Sequence, residues 1–489
     1  MATSRRTSQV LFFLAFLALM FALHLPMLRF PFHWDELGQF APASLDLYTG
    51  GSLVAHSTLP NVHPPGVMAM VALAWRVFGV SVGAARGAML VVASAGLLFT
   101  FLLAIRLCRG LDGAPAFAAV LFLMASPIFF SQSEMILLDM PAMTFTALAL
   151  LLFLDEHYVG CAIACTALVL VKETSITTPM VFGAWLLLRE KRFKQALLFV
   201  APAVALGAWL ILLHARTGHW LGNAEFARDN VGGALSVAHI ALGFLGRFHF
   251  LFIADGRWIG ALALLAGFRV LRGKAWTVAI LVAVAQIVIV TVLGYAMLER
   301  YLLPAMPVVY TAMAAAMSAL RPLRRWVACA AMIGLLVLGW FWNPPYPFSY
   351  EDNLAWTDFV ALQKEAANYL EAYAPQARVA SAWPFTGAMK HPYLGYVGRP
   401  LHAVEIPGLQ IADIAGADRG SYDVLVSYEK FWTFEGKKYD NPVLRLIAKQ
   451  YAAYHPQATP EEIRALGFVS VHRWDRGGQW IEIYGKPTP

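Results

Sequence analysis

Long apolar runs separated by short polar loops dominate the first 342 residues of the chain. A helix needs about 20 apolar residues to cross a bilayer. Two further apolar segments, 64–80 and 236–254, are ambiguous because they contain Arg76, and Arg247 with His249. The pattern predicts a polytopic α-helical membrane protein. Runs of spanning length, or slightly less, lie near 9–28, 84–107, 114–131, 134–154, 158–171, 175–189, 195–213, 257–271, 275–297, 301–320 and 326–342.

The basic residues of the loops predict the orientation, because Lys and Arg are enriched on the cytoplasmic side of membrane proteins. If the two ambiguous segments lie flat as interfacial helices, the basic loop clusters all fall on the cytoplasmic side. This arrangement predicts about eleven spans, a cytoplasmic N-terminus, and two exterior loops at about 29–83 and 214–256. The clusters are Arg5/Arg6, Arg106/Arg109, Arg189/Lys191/Arg192/Lys194, Arg269/Arg272/Lys274 and Arg321/Arg324/Arg325.

The remaining part, 343–489, has a different pattern. It begins with the aromatic, proline-rich stretch NPPYPFSY, which suits a rigid exit from the membrane. A helix-like run follows at about 354–374, and then come alternating strand-like segments: ARVASAW, YDVLVSY, GFVSVHRW and QWIEIYG. We therefore expect a membrane domain over 1–342 and a small exterior α/β domain over 343–489.

Composition supports this division. The chain is 59% hydrophobic and only 14% charged, with a mean hydropathy of +0.60, whereas soluble proteins carry about 25% charged residues. The net charge of +7 reflects the basic loops and indicates no affinity for nucleic acid. The four cysteines lie in or beside apolar segments, so no disulfide framework is implied. No small-residue cleavage site follows the first apolar run, which predicts an uncleaved first span.

The pair Asp35-Glu36, in HWDEL, follows the first apolar run at the membrane boundary. A carboxylate costs desolvation energy there, so it usually serves a function or caps a helix. The functional interpretation is a general base that accepts a proton from a hydroxyl, or a metal-bound carboxylate. The structural alternative is that Asp35 caps a short helix beginning near Leu37.

Two further exterior sites are candidates. In NVHPPG, the prolines are expected to start an interfacial helix with His63 just outside it. His63 either binds a metal or moves a proton, or it simply caps a loop. In ILLDMP, Asp139 faces the same side of the membrane as Asp35, although N-capping of the next helix also explains it.

Two cationic motifs are candidates for binding a lipid phosphate. Lys172-Glu173 interrupts an apolar stretch at an exterior helix end, where the pair either neutralises itself or offers Lys172 to a phosphate. Arg300-Tyr301 lies at an exterior helix start. A cation is mildly unfavourable at the positive end of a helix dipole, and an anion such as phosphate would compensate it.

The second exterior loop holds a polar cluster that includes His219 and Glu225. The cluster is either a solvated loop or part of a substrate vestibule together with His63 and Glu173. Glu36, His63 and His219 are also candidate ligands for a divalent metal ion. The full cluster is His214, Arg216, His219, Glu225, Arg228 and Asp229.

The series HWDEL, NVHPPG, ILLDMP, VKET and ERYLLPAMP, in that order within about residues 10–320, resembles the GT-C superfamily of membrane glycosyltransferases. The likeness is greatest to the branch of protein O-mannosyltransferases and the lipid A aminoarabinose transferase. It implies that Asp35 is the catalytic base, with Glu36 supporting it, and that Asp139 corresponds to the family's second-loop acid. It also implies that His63, Pro64 and Pro65 correspond to the family's HPP element, and that Arg300 and Tyr301 lie near the phosphate of the sugar donor. The lysine that follows HPP in the mannosyltransferases is missing, so a protein acceptor is not supported.

The resemblance implies an inverting transfer from a polyprenyl-phosphate sugar to a hydroxyl of a glycan, lipid or other cell-envelope acceptor. The phosphate would be held by Arg300, Tyr301 and Lys172. A divalent ion is one expectation from the aminoarabinose transferase, and the mannosyltransferases need none. The likeness also implies the inner membrane, with the C-terminal domain in the periplasm. A polyprenyl-lipid transporter or flippase, and a non-catalytic subunit with an exterior binding domain, are the alternatives.

Overall fold

The computed structural model describes residues 2–224, 236–294, 297–430, 432, 441–443, 445, 446 and 456–486, with side chains from residue 7 onward. Most of these residues are helical. The first part of the chain contains sixteen α-helices among the described residues. They are α1 Ala2–His24, α2 Ala41–Gly50, α3 Gly66–Phe78, α4 Val82–Leu107, α5 Pro115–Ala125, α6 Pro127–Gln132, α7 Asp139–Leu154, α8 Tyr158–Val171, α9 Thr177–Trp185, α10 Phe193–Leu197, α11 Val200–Thr217, α12 Val237–Phe252, α13 Arg257–Gly267, α14 Lys274–Val292, α15 Met306–Ser318 and α16 Pro322–Leu338.

Several of these helices are long and apolar enough to cross a membrane, and the protein is a multi-pass membrane protein. In the described part of the chain, five segments meet this criterion, and a sixth does if α12 and the segment Ala254–Val270, bent by 48°, form one broken span. The expected count of about eleven stays a prediction. Some apolar runs form helices that are shorter than the run itself. In the run 134–154, for example, the helix begins only at Asp139, after several non-helical residues.

The segments 64–80 and 236–254 are helical as expected, forming α3 and α12. The helix α3 begins at Gly66, directly after the two prolines. Pro65 lies at the N-cap position, so the prolines precede the first turn rather than forming part of it. Whether α3 and α12 span the membrane or lie in its interface stays a prediction.

The C-terminal part is a small α/β unit, as predicted. Helix α17, Ala355–Tyr373, packs on a five-stranded sheet with the order β2-β1-β3-β5-β4. Strand β1 is parallel to β2 and β3, whereas β5 is antiparallel to β3 and β4. Four strands lie in the predicted segments, and β2 was not predicted because its residues are only partly buried. The strands are β1 Arg378–Ala382, β2 His402–Ile406, β3 Val424–Tyr428, β4 Val469–Arg476 and β5 Gln479–Gly485; the short helices are α18 Phe385–Lys390, α19 Ile411–Gly416 and α20 Pro460–Ala465.

This α/β unit is packed against the loop that follows α1. The Tyr396 hydroxyl donates a 2.7 Å hydrogen bond to the Phe32 carbonyl oxygen, and the Phe359 ring lies 5.3 Å from the His33 ring. Gly38 is pressed against Trp383, since a Cβ atom at Gly38 would lie 2.2 Å from a ring atom. The HWDEL loop is therefore held between the membrane helices and the C-terminal unit.

Candidate active site

A cavity of about 450 Å³ lies where the HWDEL loop, the membrane helices and the start of the C-terminal part meet. Most of the residues singled out from the sequence reach it, although they come from distant parts of the chain. Apolar side chains from the start of α7, the end of α14 and the segment before α15 complete the wall. The polar lining residues are Asp35, Gln39, His63, Asp139, Lys172, Glu173, Thr174, Arg300, Tyr301, Ser349 and Glu351.

Arg300 is the centre of the ion pairs in this cavity. Its Nη2 lies 2.5 Å from Asp35 Oδ2, and its Nη1 lies 2.8 Å from Glu351 Oε2. Its Nε lies 3.5 Å from Asp139 Oδ2. The guanidinium is thus surrounded by three carboxylates. The sequence analysis expected an anion beside this cation, and among the described residues the protein's own carboxylates supply it. An incoming phosphate would therefore have to compete with these carboxylates for Arg300.

Lys172 and Glu173 do not neutralise each other. The Lys172 Nζ is hydrogen-bonded to Asp139 Oδ1, and it lies 4.2 Å from the centroid of the Tyr301 ring. Glu173 Oε2 instead lies 3.0 Å from His63 Nδ1. Lys172 therefore joins the group of charges around Arg300 through Asp139, whereas Glu173 pairs with His63 of the HPPG segment.

The side chains of Asp35 and Asp139 do not cap helices. Asp35 lies at the N-cap of a single π-helical turn, Glu36–Phe40, and makes no side-chain capping bond. Asp139 is the first residue of α7, so the N-cap position belongs to Leu138, and no side-chain capping bond is formed there in the described structure. Trp34, just before Asp35, has φ 38°, a left-handed conformation that a bulky residue seldom adopts and that often marks a functional site. The helix-capping interpretation is wrong for both acids.

Glu36 lies outside the cavity, which corrects the expectation that it supports catalysis or binds a metal. Its carboxylate accepts hydrogen bonds from the backbone N–H groups of His33 and Ile136, each at 2.8 Å, and from Arg86 Nη2 at 3.4 Å. Burial raises the pKa of the Glu36 carboxyl, an effect that Arg86 opposes. Glu36 therefore ties the HWDEL loop to the segment before α7.

Arg86, which the sequence analysis missed, is a fully buried residue of α4. Besides Glu36 it pairs with the buried Glu134, at 4.0 Å, and it contacts backbone: Nη2 donates to the Pro31 carbonyl at 2.8 Å and Nε donates to the Phe30 carbonyl at 3.1 Å. An arginine inside an apolar run is costly unless it is paired, and that signal was available in the sequence. Arg86 fixes the backbone immediately before Asp35.

We expect Arg86→Met to destabilise the protein strongly, by about 3–5 kcal/mol, because it leaves the Glu36 carboxylate buried without its cation. Thermal unfolding of the purified protein in detergent measures this. The matched control is Arg76→Met on α3, an exposed arginine, which should change the unfolding temperature little. Equal unfolding temperatures for the two variants would contradict the role given to Arg86.

The vestibule residues divide into two groups. His63 and Glu173 line the cavity, whereas His219 is exposed in the turn after α11, where its backbone N–H bonds Thr217 Oγ1. Glu225, with Arg228 and Asp229, lies outside the described residues. Glu36, His63 and His219 do not converge, and the described residues contain no group of three or more His, Cys, Asp or Glu side chains suited to a metal ion. These residues do not fit a shared metal site.

Glu351 is a charged residue of the site that the sequence analysis did not single out. It follows the proline-rich exit, in a 3₁₀ turn over Tyr350–Asp352. Its carbonyl oxygen accepts from Ser131 Oγ at 2.6 Å and from Gln132 Nε2 at 3.2 Å, both at the end of α6. The pair Glu351-Asp352 follows the last apolar run much as Asp35-Glu36 follows the first. The same boundary argument would have found it.

Comparison with known proteins gives the fold. No family model and no curated protein matches the sequence. Among solved structures, ArnT from Cupriavidus metallidurans is similar over 98% of both chains, with 15% identity and a TM-score of 0.55. These values hold both for ArnT bound to undecaprenyl phosphate and for ArnT in the apo state.

The archaeal oligosaccharyltransferase AglB from Archaeoglobus fulgidus, in complex with an inhibitory peptide and a dolichol-phosphate, matches 85% of this chain and 69% of its own. The identity is 11% and the TM-score is 0.47, which does not by itself establish a common fold. The ArnT match extends over the helices, the cavity and the C-terminal sheet alike. The chain therefore has the fold of the ArnT structure, in agreement with the fold that the sequence resemblance implied.

Proposed function

We propose that this protein is an inverting glycosyltransferase that moves a sugar from a polyprenyl-phosphate donor to an acceptor hydroxyl. The observation that carries the proposal is the cavity itself, in which Asp35, Asp139, Lys172 and Arg300 meet beside an apolar wall. A site of this kind can hold a lipid phosphate and a base at once. The fold shared with ArnT supports this chemistry by analogy, because the ArnT structure contains undecaprenyl phosphate.

The phosphate of the sugar donor would be held by Arg300 and Lys172. Both cations reach the cavity, and an arginine fork suits two oxygens of one phosphate. Tyr301 orients Lys172, because its ring lies under the ammonium group. The apolar lining, which includes Leu138, Val290 and Leu293, would take the first isoprene units of the lipid.

Asp35 is the best candidate for the base. Its side chain is 17% exposed in the cavity, whereas that of Asp139 is 3% exposed and is held by Lys172. Asp35 would take the proton of the acceptor hydroxyl as its oxygen attacks the anomeric carbon. The bond from that carbon to the phosphate oxygen breaks, and polyprenyl phosphate leaves with the electron pair. Arg300 and Lys172 stabilise the charge that develops on the leaving phosphate.

The acceptor is a hydroxyl of a glycan, lipid or other cell-envelope molecule, and the sugar is a hexose or pentose. We place the reaction at the outer face of the inner membrane, following the distribution of basic residues in the loops. Because the candidate ligands do not converge, no step of this mechanism uses a metal ion. Calcium, magnesium and zinc additions to metal-depleted protein would test the expectation of a divalent ion.

The proposal is tested by transfer from a panel of radiolabelled polyprenyl-phosphate sugars, with purified full-length protein and membrane-extract acceptors. We expect wild-type protein to release label from at least one monophosphate donor and to leave soluble nucleotide sugars untouched. The matched negative control is the Asp35→Asn variant. Equal loss of label with wild type and variant would refute the assignment. Binding of polyprenyl phosphate without any transfer would favour the flippase alternative.

A further inference from the structure

We propose that Glu351 is the counter-ion that the donor phosphate replaces on Arg300, and that Glu351 takes up a proton when the donor binds. This inference rests on the proposed function, since it concerns the same cavity. It adds a residue from the C-terminal part of the chain to the binding machinery. It also predicts that donor affinity depends on pH through one identified group.

Glu351 is held in place by its backbone, while its carboxylate has few contacts among the described residues. Its carbonyl oxygen is fixed by Ser131 and Gln132, so the backbone stays in place. Among the described residues, the carboxylate has one hydrogen-bond partner, Arg300 Nη1 at 2.8 Å. Its side chain is only 3% exposed, yet it lines the cavity. The carboxylate can leave Arg300 by rotation of the side chain alone.

The charged side chains around Arg300 carry an excess of negative charge. Two cations, Lys172 and Arg300, face three carboxylates, those of Asp35, Asp139 and Glu351. A phosphodiester brings one more negative charge into a region of low dielectric. Like charges repel strongly there, so the site favours binding one proton together with the phosphate.

Of the three carboxylates, Glu351 is the one that receives the proton. Asp139 contacts both cations, and Asp35 must stay ionised to act as a base. Burial raises the pKa of the Glu351 carboxyl to about 7, although Arg300 acts in the opposite direction, and Asp35, Asp139 and Glu36 raise it further. Once the phosphate has replaced it on Arg300, Glu351 loses the cation that favours its ionised form. Glu351 is therefore the group that becomes neutral.

The charged and titratable groups around Glu351 come from every element packed against it. The end of α6 contributes only the uncharged Ser131 and Gln132. The others are Asp35 and Glu36 of the HWDEL loop, Asp139 of α7, Arg300 and Tyr301 of the segment before α15, and Asp352 of its own turn. Burial is the main cause of the raised pKa of Glu351, and the acids of this set, which outnumber its one cation, add to that effect.

The expected pH dependence follows from linkage. The donor-bound state is taken to require a neutral Glu351, whose pKa in the free protein is about 7. At a pH above this pKa, Glu351 must therefore take up a proton before the donor can bind. The affinity is then nearly constant below that pKa and falls as the pH rises through it. Between pH 6 and pH 8 the dissociation constant should rise about tenfold.

The experiment uses full-length protein in detergent and dihexadecyl phosphate as the probe. This phosphodiester carries one charge throughout the range, so any proton taken up on binding comes to the protein. Calorimetry at pH 6, 7 and 8, in two buffers of different ionisation enthalpy, gives both the dissociation constant and the number of protons. We expect wild type to bind about tenfold more weakly at pH 8 than at pH 6, with proton uptake at pH 8.

Glu351→Gln should bind with the same affinity at all three pH values, and about tenfold more tightly than wild type at pH 8. The control is Glu482→Gln, a buried glutamate of β5 paired with Arg464 and Arg473, far from the cavity in the sheet, which should behave like wild type. Binding to wild type without proton uptake would overturn the inference and leave the proposed function standing. Absence of binding at every pH would overturn the inference together with the phosphate site. The wild-type measurement decides the matter even if a variant fails to fold.

Discussion

The Asp35→Asn variant is expected to transfer sugar about 10² to 10⁴ times more slowly than wild type, with its fold intact. General-base assistance is typically worth this much, and an amide does not accept the hydroxyl proton. The side chains have the same shape, so the contact with Arg300 is kept as a weaker hydrogen bond. Affinity for a phosphodiester should be equal or greater, because one negative charge is removed from the cavity.

The rate is measured as kcat with saturating radiolabelled donor, and affinity by calorimetry with dihexadecyl phosphate. The matched control is Asp358→Asn on α17, whose carboxylate pairs with Arg476 at the surface and which should keep the wild-type rate. A variant at Asp35 with wild-type kcat would show that another group takes the proton. A loss of rate together with a loss of folding would assign Asp35 to structure instead.

Arg300→Met is expected to have the second large effect, on both stability and binding. Removing the guanidinium leaves Asp35, Asp139 and Glu351 without their shared cation. Breaking a buried ion pair by removal of one partner costs about 3–5 kcal/mol in the free energy of unfolding. The variant should also lose measurable affinity for dihexadecyl phosphate, since three carboxylates then face a single cation, Lys172.

The destabilisation of Arg300→Met should depend on pH. The folded-state pKa of Glu351 is already raised to about 7 by burial, above its unfolded value of about 4.3. The stability contributed by its neutral form is fully present at low pH and is lost as the pH rises through the folded-state pKa. Without Arg300 this acid is harder still to ionise, so the variant should unfold at a lower temperature at pH 8 than at pH 6.

Arg378→Met is the matched control for this prediction. Arg378 makes a well-formed pair with Asp423 at 2.8 Å, but both side chains are nearly half exposed. Exposed pairs contribute about 0–1 kcal/mol. An Arg300 variant that unfolds at the same temperature as this control would contradict the view that the buried carboxylates depend on Arg300.

The sequence predicted the parts of the site that stand out locally. Asp35, Asp139 and Arg300 are charged residues at the edges of apolar runs, where a charge is costly without a function. Their order along the chain then indicated the GT-C fold. The strands β1, β3 and β5 were also predictable, because each is a short segment in which most positions are buried.

The sequence did not predict which charges meet. Asp35 and Arg300 are 265 residues apart, and their contact depends on the packing of several helices. Adjacent residues in a helical turn point about 100° apart, which is why Glu36 faces Arg86 while Asp35 faces the cavity. Glu351 was missed because the stretch after the last apolar run was interpreted only as a rigid exit.

The contacts that hold the start of the C-terminal part have a consequence for protein engineering. Because the Glu351 carbonyl is fixed at the end of α6 and its carboxylate binds Arg300, a chimera that exchanges everything after residue 342 would also exchange one wall of the cavity. A successful graft would have to join the two parents after α17 has begun, keeping residues 343–356 from the parent that supplies the helices. The wall of the cavity that Glu351 forms would then stay with the helices that it contacts.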